Sequence, residues 1–458
     1  MKGYSDATKR FLLAAKHAEK TALQQLSSNC KLVNAVKDVI HQLQRERGIS
    51  NVFLASRGHR FESQRAEQVE LSLKREQALR SQLKSMYLTG TESFSNIRLL
   101  SSITLALQGM DHLPTLREKV AKLNLPPLDS TQAYCRLISG LLSVVFEAAD
   151  VASDPVITRL LVALFNFMQA KEYAGQERAW GAIGFAETHF NRRLCDRLEQ
   201  LQVAQQHSFG IFREFADAQE QQLWTELEGG PATRDVKQLR NMIQQLADGS
   251  PIAEELSEVW YEVATRRIDE MQAIEEHLTE RLLEVATQRV QQADADLKNH
   301  RRRLQALENQ PEPGSSPLTM LFDPAMPGLQ GSGALDPNLA NGAPSVPDTN
   351  GFPQSGTPTA NTASGLADAE SLSSHRSFYD LLRDQSEHIK RMSNELEEAK
   401  RAISEHKAID RAKLIMMQQW NLTEDAAYRR LQKHAMDQNA RISDVAESVI
   451  RASSKKPA

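Results

Sequence analysis

Residues 153–190 read SDPVITRLLVALFNFMQAKEYAGQERAWGAIGFAETHF, a long stretch with an unbroken helical pattern. Ser153 or Asp154 can cap a helix in which Pro155 suits the first position, and nothing breaks the helix for about thirty residues. Apolar residues recur at every third or fourth position, from Leu164 to Phe185. This period predicts a long helix with one face toward a core.

Three positions on that inward face are not apolar: Lys171, Gly175 and Arg178. A guanidinium keeps its charge in a protein, and burying it unpaired costs several kcal/mol. The sequence therefore predicts a negative partner for Arg178, whereas Lys171 is expected to extend its ammonium toward water.

Two more arginines interrupt apolar faces of predicted helices. Arg47 lies in QLQRERGIS at 42–50, on the face that carries Ile40 and Leu43, and Gly48 leaves backbone room beside it. Arg240 shares a helical face with Val236 and Ile243. Each arginine can be paired with a buried acid, and the nearest candidates are Glu172, Glu177 and Asp269. No acid is found at matching inward positions, which favours a small diffusible anion as the shared partner.

The same periodicity makes the chain helical almost throughout residues 1–309. Besides the opening helix, it predicts helices at 5–26, 31–55, 61–86, 92–107, 131–151, 191–228, 233–247 and 251–309. We expect an all-α fold in which 1–309 forms a helical bundle.

Residues 310–375 differ in composition from both neighbours. They hold ten of the chain's 17 prolines, with many Gly, Ser, Asn and Thr residues and little hydrophobic periodicity. Such a composition predicts a disordered linker.

Residues 376–458 return to helical patterns, with a heptad-spaced helix from about Leu382 to Ile403 that predicts pairing with another helix. Two short helices follow, at about 423–437 and from Ser443 onward, with Leu431, Met436 and Val445 expected in their core. Between 399 and 458 there are twelve Lys and Arg against seven Asp and Glu. The basic residues form either a solvated helix face or a surface for phosphates.

Composition excludes several other classes of protein. A net charge of −4 argues against nucleic-acid binding along the whole chain, and the three cysteines match no zinc or redox spacing. No catalytic constellation, metal site, cofactor motif or membrane span is found, and His41 is expected at the surface. We therefore expect a cytoplasmic protein that is not an enzyme.

Two segments resemble known families. Residues 412–450, AKLIMMQQWNLTEDAAYRRLQKHAMDQNARISDVAESVI, resemble the ANTAR domain, a three-helix RNA-binding module. LQRERGIS at 43–50, KEYAGQERA at 171–179 and WYEVATRRIDEM at 260–271 resemble the nitrate- and nitrite-sensing (NIT) domain. The two in this order are typical of nitrate-responsive transcription antiterminators.

The resemblance implies that the effector is nitrate or nitrite and that the nucleic-acid partner is a hairpin in a leader mRNA. It implies anion binding by Arg47 and Arg178, and more loosely by Arg240; second choices are Arg45, Arg267 and Lys171. It also implies RNA contact through Lys413, Tyr428, Arg429, Arg430, Lys433 and Arg441, where Tyr428 either stacks on a base or packs in the core. From the heptad-spaced helix we expect a homodimer. Two alternatives stay open: a coiled-coil adaptor, and a nitrate sensor whose tail binds DNA.

Overall fold

The computed structural model describes residues 6–88, 96–150, 152–186, 190–245 and 256–308, and 387–454 with short gaps. All regular secondary structure in these ranges is α-helical, which confirms the all-α expectation. None of the described helices is long and apolar enough to cross a membrane. The linker predicted at 310–375 lies outside the described residues.

Twelve helices have defined bounds within the described part of the chain. They are α1 (Asp6–Ala55), α2 (Glu62–Tyr87), α3 (Ile97–Asp111), α4 (Leu113–Ala121), α5 (Pro127–Asp150), α6 (Pro155–Ala186), α7 (Arg192–Phe215), α8 (Ala218–Gly229), α9 (Pro231–Gln245), α10 (Leu256–Glu308), α11 (Glu424–Gln438) and α12 (Ile442–Ser454). Residues 387–397 and all described positions between 400 and 420 are helical as well.

The helix predicted from residues 153–190 is α6. The Asp154 carboxylate accepts a hydrogen bond from the Ile157 amide at 3.0 Å, so Asp154 is the cap. α6 packs between α5 and α7, and its Phe167 ring meets the Phe212 ring of α7 at 5.0 Å. α6 is therefore the central helix of the sensory bundle.

Two expected helix boundaries are wrong, and one helix was missed. α1 is one helix where two were expected, because the polar stretch around Asn29 and Cys30 is buried, and burial outweighs weak helix propensity. The helix expected at 191–228 is two, because Ala216 is extended and Asp217 begins α8 with a capping box. Helix α4 was not expected at all, and Pro114 lies in its first turn.

α10 reaches α6 through Trp260. The Trp260 indole donates a hydrogen bond to the Arg178 carbonyl oxygen at 2.9 Å. A Cβ atom on Gly181 would lie only 2.4 Å from the Trp260 ring, so this close approach requires glycine. The contact fixes the backbone of Arg178 against α10.

The chain divides into two compact units. One consists of residues 1–19 and 292–394, and the other of 20–291 and 395–458. The second unit contains the sensory helices from 20 to 291 and the small C-terminal module.

The C-terminal module has its own apolar core. α11 packs on α12, and the core includes Leu431 and Val445, as expected, together with Ile409, Ala412, Met416, Ala427, Ala435 and Ala446. Met436 was expected in this core but is 75% exposed, because its neighbour Ala435 takes the inward position. The module is thus a three-helix unit with a small core.

Candidate anion site and nucleic-acid interface

At the contact between α1 and α6, each helix presents a glycine to an arginine of the other. Arg47 of α1 lies against Gly175 of α6, where a Cβ would stand 2.5 Å from the Arg47 Nη2. Arg178 of α6 lies against Gly48 of α1, where a Cβ would stand 2.6 Å from the Arg178 Nη2. Both guanidiniums therefore occupy space that a larger residue would remove.

Arg47 has a carboxylate partner. Its guanidinium forms two hydrogen bonds with Glu172, one short through Nη1 and one of 3.2 Å through Nη2. Arg47 is fully buried, and Glu172 is 2% exposed. Burial alone would lower the pKa of Arg47, but the Glu172 carboxylate and the Cys135 sulfur raise it above its ordinary value. Arg47 is thus a compensated buried cation.

Arg178 is 3% exposed and has a different environment. It donates to the Thr265 hydroxyl at 2.8 Å and to the Gln44 carbonyl at 3.2 Å, and its guanidinium lies 5.1 Å from the centre of the Tyr261 ring. Among the described residues no carboxylate forms an ion pair with it, and its Nε has no hydrogen-bond partner there. Burial lowers the pKa of Arg178, against the effect of Tyr261, and Arg47 lowers it further.

Arg240 and Arg267 form a second cluster around Glu177. Arg240 makes two hydrogen bonds to Glu177, at 2.7 and 2.6 Å, and is 14% exposed. Arg267 donates to the Gln205 side chain at 3.0 Å and lies 3.8 Å from Glu228. Burial, with the added charge of Arg240, lowers the pKa of Arg267 to about 10.

The other two second-choice residues differ from each other. Lys171 is fully buried and donates to Gln272 and Glu275, so the expectation that it reaches water is wrong. Arg45 is exposed. The expectation of no inward acid is also wrong, because Glu172, Glu177 and Glu275 are all buried. Among the residues that the structure describes, pairing with a buried carboxylate therefore holds for Arg47 and Arg240 but not for Arg178.

Sequence reasoning missed the residues that surround Arg178. Thr265 and Tyr261 stand in α10, one turn apart, within the segment WYEVATRRIDEM. Their spacing of four was a signal that they share a face.

His41, which was expected at the surface, is buried. Its burial and the nearby charges of Lys171, Arg45, Lys37 and Arg178 lower the pKa of His41 to about 2.

The basic residues predicted for RNA contact fall into two groups. Arg429, Arg430 and Lys433 are exposed on α11, and Arg441 is exposed 3.6 Å from Glu405. Tyr428 is half-buried and packs against the module's core, and Lys413 is also half-buried. Arg429, Arg430 and Lys433 form a basic face on α11, and Arg441 lies beyond the end of that helix.

A cleft of about 880 Å³ lies between α5, α6, α7 and α11. Arg429 of the basic face lines it, together with three arginines of the sensory helices: Arg136, Arg193 and Arg197. Arg197 donates to Gln176 at 3.3 Å, and Gln176 donates to Glu172 at 3.0 Å. The cleft is therefore joined through side chains to the partner of Arg47.

A second contact joins the module to the C-terminal end of α5. The Lys407 ammonium lies 2.5 Å from Asp150 and 3.8 Å from Glu147, and 5.3 Å from the centre of the Phe146 ring. A cation is favourable at the C-terminal end of a helix, where the backbone carbonyls carry partial negative charge.

Within the described ranges, no group of three His, Cys, Asp or Glu side chains is arranged to hold a metal ion.

These features define a helical sensor bundle with an attached small effector module. The chain belongs to the nitrate and nitrite sensing (NIT) family, whose profile matches residues 38–283. The ANTAR domain profile matches residues 397–450. Both resemblances expected from the sequence are confirmed.

Two known proteins are similar over nearly the whole chain. The "Nitrate regulatory protein" of Klebsiella oxytoca is 26% identical over 441 residues, which cover 95% of this chain and 93% of that protein. The solved structure described as "Structure of the NasR transcription antiterminator" has a TM-score of 0.57 and 24% identity. That match covers 97% of this chain and 98% of the other, and it shows a common fold.

Proposed function

We propose that the chain is a nitrate- or nitrite-responsive regulator of transcription antitermination. A sensor at 1–309 binds the anion, a linker at 310–375 follows, and the module at 376–458 binds hairpins in a leader mRNA. The bound hairpin displaces a terminator and lets transcription continue into nitrate-assimilation genes. The family membership of both segments and the likeness to a nitrate regulatory protein support this function. Its target, a nascent transcript, sets the expected location in the cytoplasm.

The environment of Arg178 is the main support for the sensor half of the proposal. It is a buried guanidinium with two neutral oxygen acceptors and no ion-paired carboxylate among the described residues. A singly charged planar anion would compensate its charge and accept paired hydrogen bonds from the guanidinium. Because Gly48 has no side chain, the Arg178 guanidinium fits against α1.

The remaining arginines take graded roles in the proposed site. Arg47 adds positive potential next to Arg178, but Glu172 already occupies its hydrogen-bonding edge. Arg240 and Arg267 surround Glu177 and rank after them, while Lys171 is held by Glu275 and Arg45 faces solvent. We therefore place Arg178 first and Arg47 second as anion ligands.

For the effector half, we propose that the sensor holds the module in an inactive position. Arg429 faces the cleft between α5, α6 and α7, and Lys407 is paired with Asp150. Three side-chain hydrogen bonds connect that cleft to the anion site: Arg197 donates to Gln176, Gln176 donates to Glu172, and Arg47 donates to Glu172. A shift of α1 against α6 on anion binding would change these contacts and free the basic face. A coupling of about 1–3 kcal/mol is enough for a useful switch.

Calorimetry with nitrate tests the sensor half. We expect the folded chain to bind nitrate and the Arg178→Ala variant to lose that binding, while residues 378–458 alone still bind RNA. Absence of binding at millimolar nitrate in folded wild-type protein would favour an adaptor over a sensor. Retained nitrate binding by Arg178→Ala would place the site elsewhere.

RNA affinity with and without nitrate tests the effector half. We expect nitrate to raise the affinity of the intact chain for a leader hairpin, and residues 378–458 alone, which have their own core, to bind without nitrate. A DNA duplex of equal sequence is the control, and preference for the duplex would refute antitermination.

We also propose a homodimer, because the heptad spacing from Leu382 to Ile403 predicts a helix that pairs with a second copy. Light scattering of the intact chain measures the mass directly. A monomer at micromolar concentration would contradict this part of the proposal.

A further inference from the structure

Trp420 is an unusual residue on the surface of the C-terminal module. It is 47% exposed, whereas Trp224 and Trp260 are buried in the sensory bundle. Trp is among the largest apolar side chains, and leaving nearly half of an indole in water gives up a large part of its burial free energy. A large exposed aromatic on a basic module calls for a functional reason.

Arg430 of α11 lies over this indole. Its guanidinium carbon is 4.7 Å from the centre of the Trp420 ring, a cation–π distance. Such a contact at an exposed site is weak, and Arg430 is itself exposed. The pair therefore orients the indole without covering it.

The charges beside this pair are those of a phosphate-binding surface. Arg429 and Lys433 are exposed on α11, next to and three residues after Arg430. In the described part of the chain, none of these three cations forms an ion pair with a carboxylate. An aromatic ring among uncompensated cations matches the chemistry of a nucleotide, which has a flat π-face and an anionic phosphate.

We propose that Trp420 and Arg430 form a binding site for one unpaired nucleobase in the loop of the hairpin. The base stacks on the exposed part of the indole, Arg430 holds the indole in position, and Arg429 and Lys433 contact flanking phosphates. This inference rests on the proposed RNA-binding function and names the part of the RNA that the module recognises. It adds Trp420 to a surface otherwise predicted from charge alone.

The test measures binding of the full-length chain, with nitrate present, to a stem–loop from a nitrate-assimilation leader transcript. Loop bases are replaced one at a time by abasic sites. Trp420→Ala should weaken binding of the intact stem–loop about 5- to 150-fold, which corresponds to the usual range for one stacked base. Trp420→Phe should keep most of the affinity, because phenylalanine retains a π-face.

The decisive result is an interaction between protein and RNA changes. One abasic position should weaken binding by the wild-type chain but not by Trp420→Ala, because the stacking partner is already absent. The control Lys433→Ala should weaken every stem–loop by the same factor and reduce the salt dependence. A purely structural role for Trp420 would instead weaken all the abasic variants equally.

Fluorescence gives a second readout that does not depend on affinity. Binding of the intact stem–loop should quench indole emission in the wild-type chain and much less in Trp420→Phe. Unaltered binding by Trp420→Ala, or equal abasic effects in both proteins, overturns the stacking site alone. Absence of stem–loop binding by the wild-type chain overturns both the stacking site and the proposed function.

Discussion

Arg47 and Arg178 occupy mirrored positions at the contact of α1 and α6, yet in the described part of the chain only Arg47 has a carboxylate partner. Each guanidinium lies against a glycine of the opposite helix, and each is buried. Glu172 compensates Arg47 through two hydrogen bonds, whereas Arg178 has the Thr265 hydroxyl and the Gln44 carbonyl. Within the described residues the charge of Arg47 is balanced by a carboxylate, while that of Arg178 is not.

The difference separates two uses of a buried cation. A paired cation holds two helices together, and removing one partner leaves the other charge buried and unpaired. An unpaired cation weakens the fold in the absence of ligand and stabilises the complex once an anion arrives. On this view Arg47 stabilises the contact of α1 and α6, and Arg178 makes that contact sensitive to the anion.

The largest effect is expected from Glu172→Gln. The substitution leaves the fully buried Arg47 without a negative partner, and breaking a buried ion pair in this way typically costs about 3–5 kcal/mol. Urea unfolding of the nitrate-free chain measures the loss. Glu177→Gln is the matched control: its partner Arg240 is 14% exposed, so the loss there should be smaller. Equal losses in the two variants would contradict the special role assigned to the Arg47 pair.

The glycines give an effect of intermediate size. In Gly175→Ala the new Cβ displaces the Arg47 guanidinium from Glu172, and overpacking of this kind costs about 1–3 kcal/mol. Gly48→Ala displaces Arg178 instead, so it should lose less stability but more affinity for nitrate.

Gly140→Ala is the control for both glycines, because a Cβ at that helical position meets nothing within 4 Å. It should stabilise the chain by about 0.5–1 kcal/mol through helix propensity. Urea unfolding and nitrate titration of the three variants check the pattern. A Gly48→Ala variant that binds nitrate like the wild type would remove Arg178 from the site.

His41 predicts a pH dependence on the Arg178 side of the contact. Burial and the nearby cations lower its pKa from 6.5 to about 2. The folded state therefore holds His41 neutral, and the stability present above pH 6.5 is lost as the pH falls. The loss should grow from about 0.7 kcal/mol per pH unit at pH 6.5 to about 1.4 kcal/mol per pH unit near pH 5.

Chemical unfolding as a function of pH measures that slope. In His41→Gln the slope should flatten, because a neutral amide replaces the titrating ring. His59→Gln, at an exposed position, should keep it. A wild-type slope that survives in His41→Gln would assign it to other groups.

Much of this architecture could be predicted from the sequence. Hydrophobic periodicity located α6, α9 and α10 and the short helices of the module, and it put Arg47 and Arg178 on inward faces. Periodicity is local, so it identifies the buried face of each helix. It missed the break at Ala216 and the continuity of α1, which depend on tertiary packing and on one extended residue.

The partners of the buried charges could not be predicted in the same way. Glu172 lies next to the inward face drawn through Lys171 and Gly175, and only the approach of α1 turns it toward Arg47. Thr265 and Tyr261 reach Arg178 from a helix almost ninety residues later in the chain. Which arginine lacks a carboxylate is a property of the packed bundle, so a pattern of inward arginines treats all three alike.

The smallest change in stability, and the clearest contrast, is expected from Arg178→Met. Methionine has a similar length and no charge, and the substitution leaves no ion-paired carboxylate of the described chain unpaired. Without nitrate, the free energy of unfolding should change by less than about 1 kcal/mol, in the stabilising direction, because the cost of burying a cation is removed. Arg47→Met should lose several times more, since it leaves Glu172 buried and unpaired. Nitrate at about a hundred times its Kd should add about 2.7 kcal/mol to the wild-type chain and nothing to Arg178→Met. If the nitrate-free Arg178→Met chain were as unstable as Arg47→Met, Arg178 would be a structural cation with a partner of its own, and the anion would have to bind elsewhere.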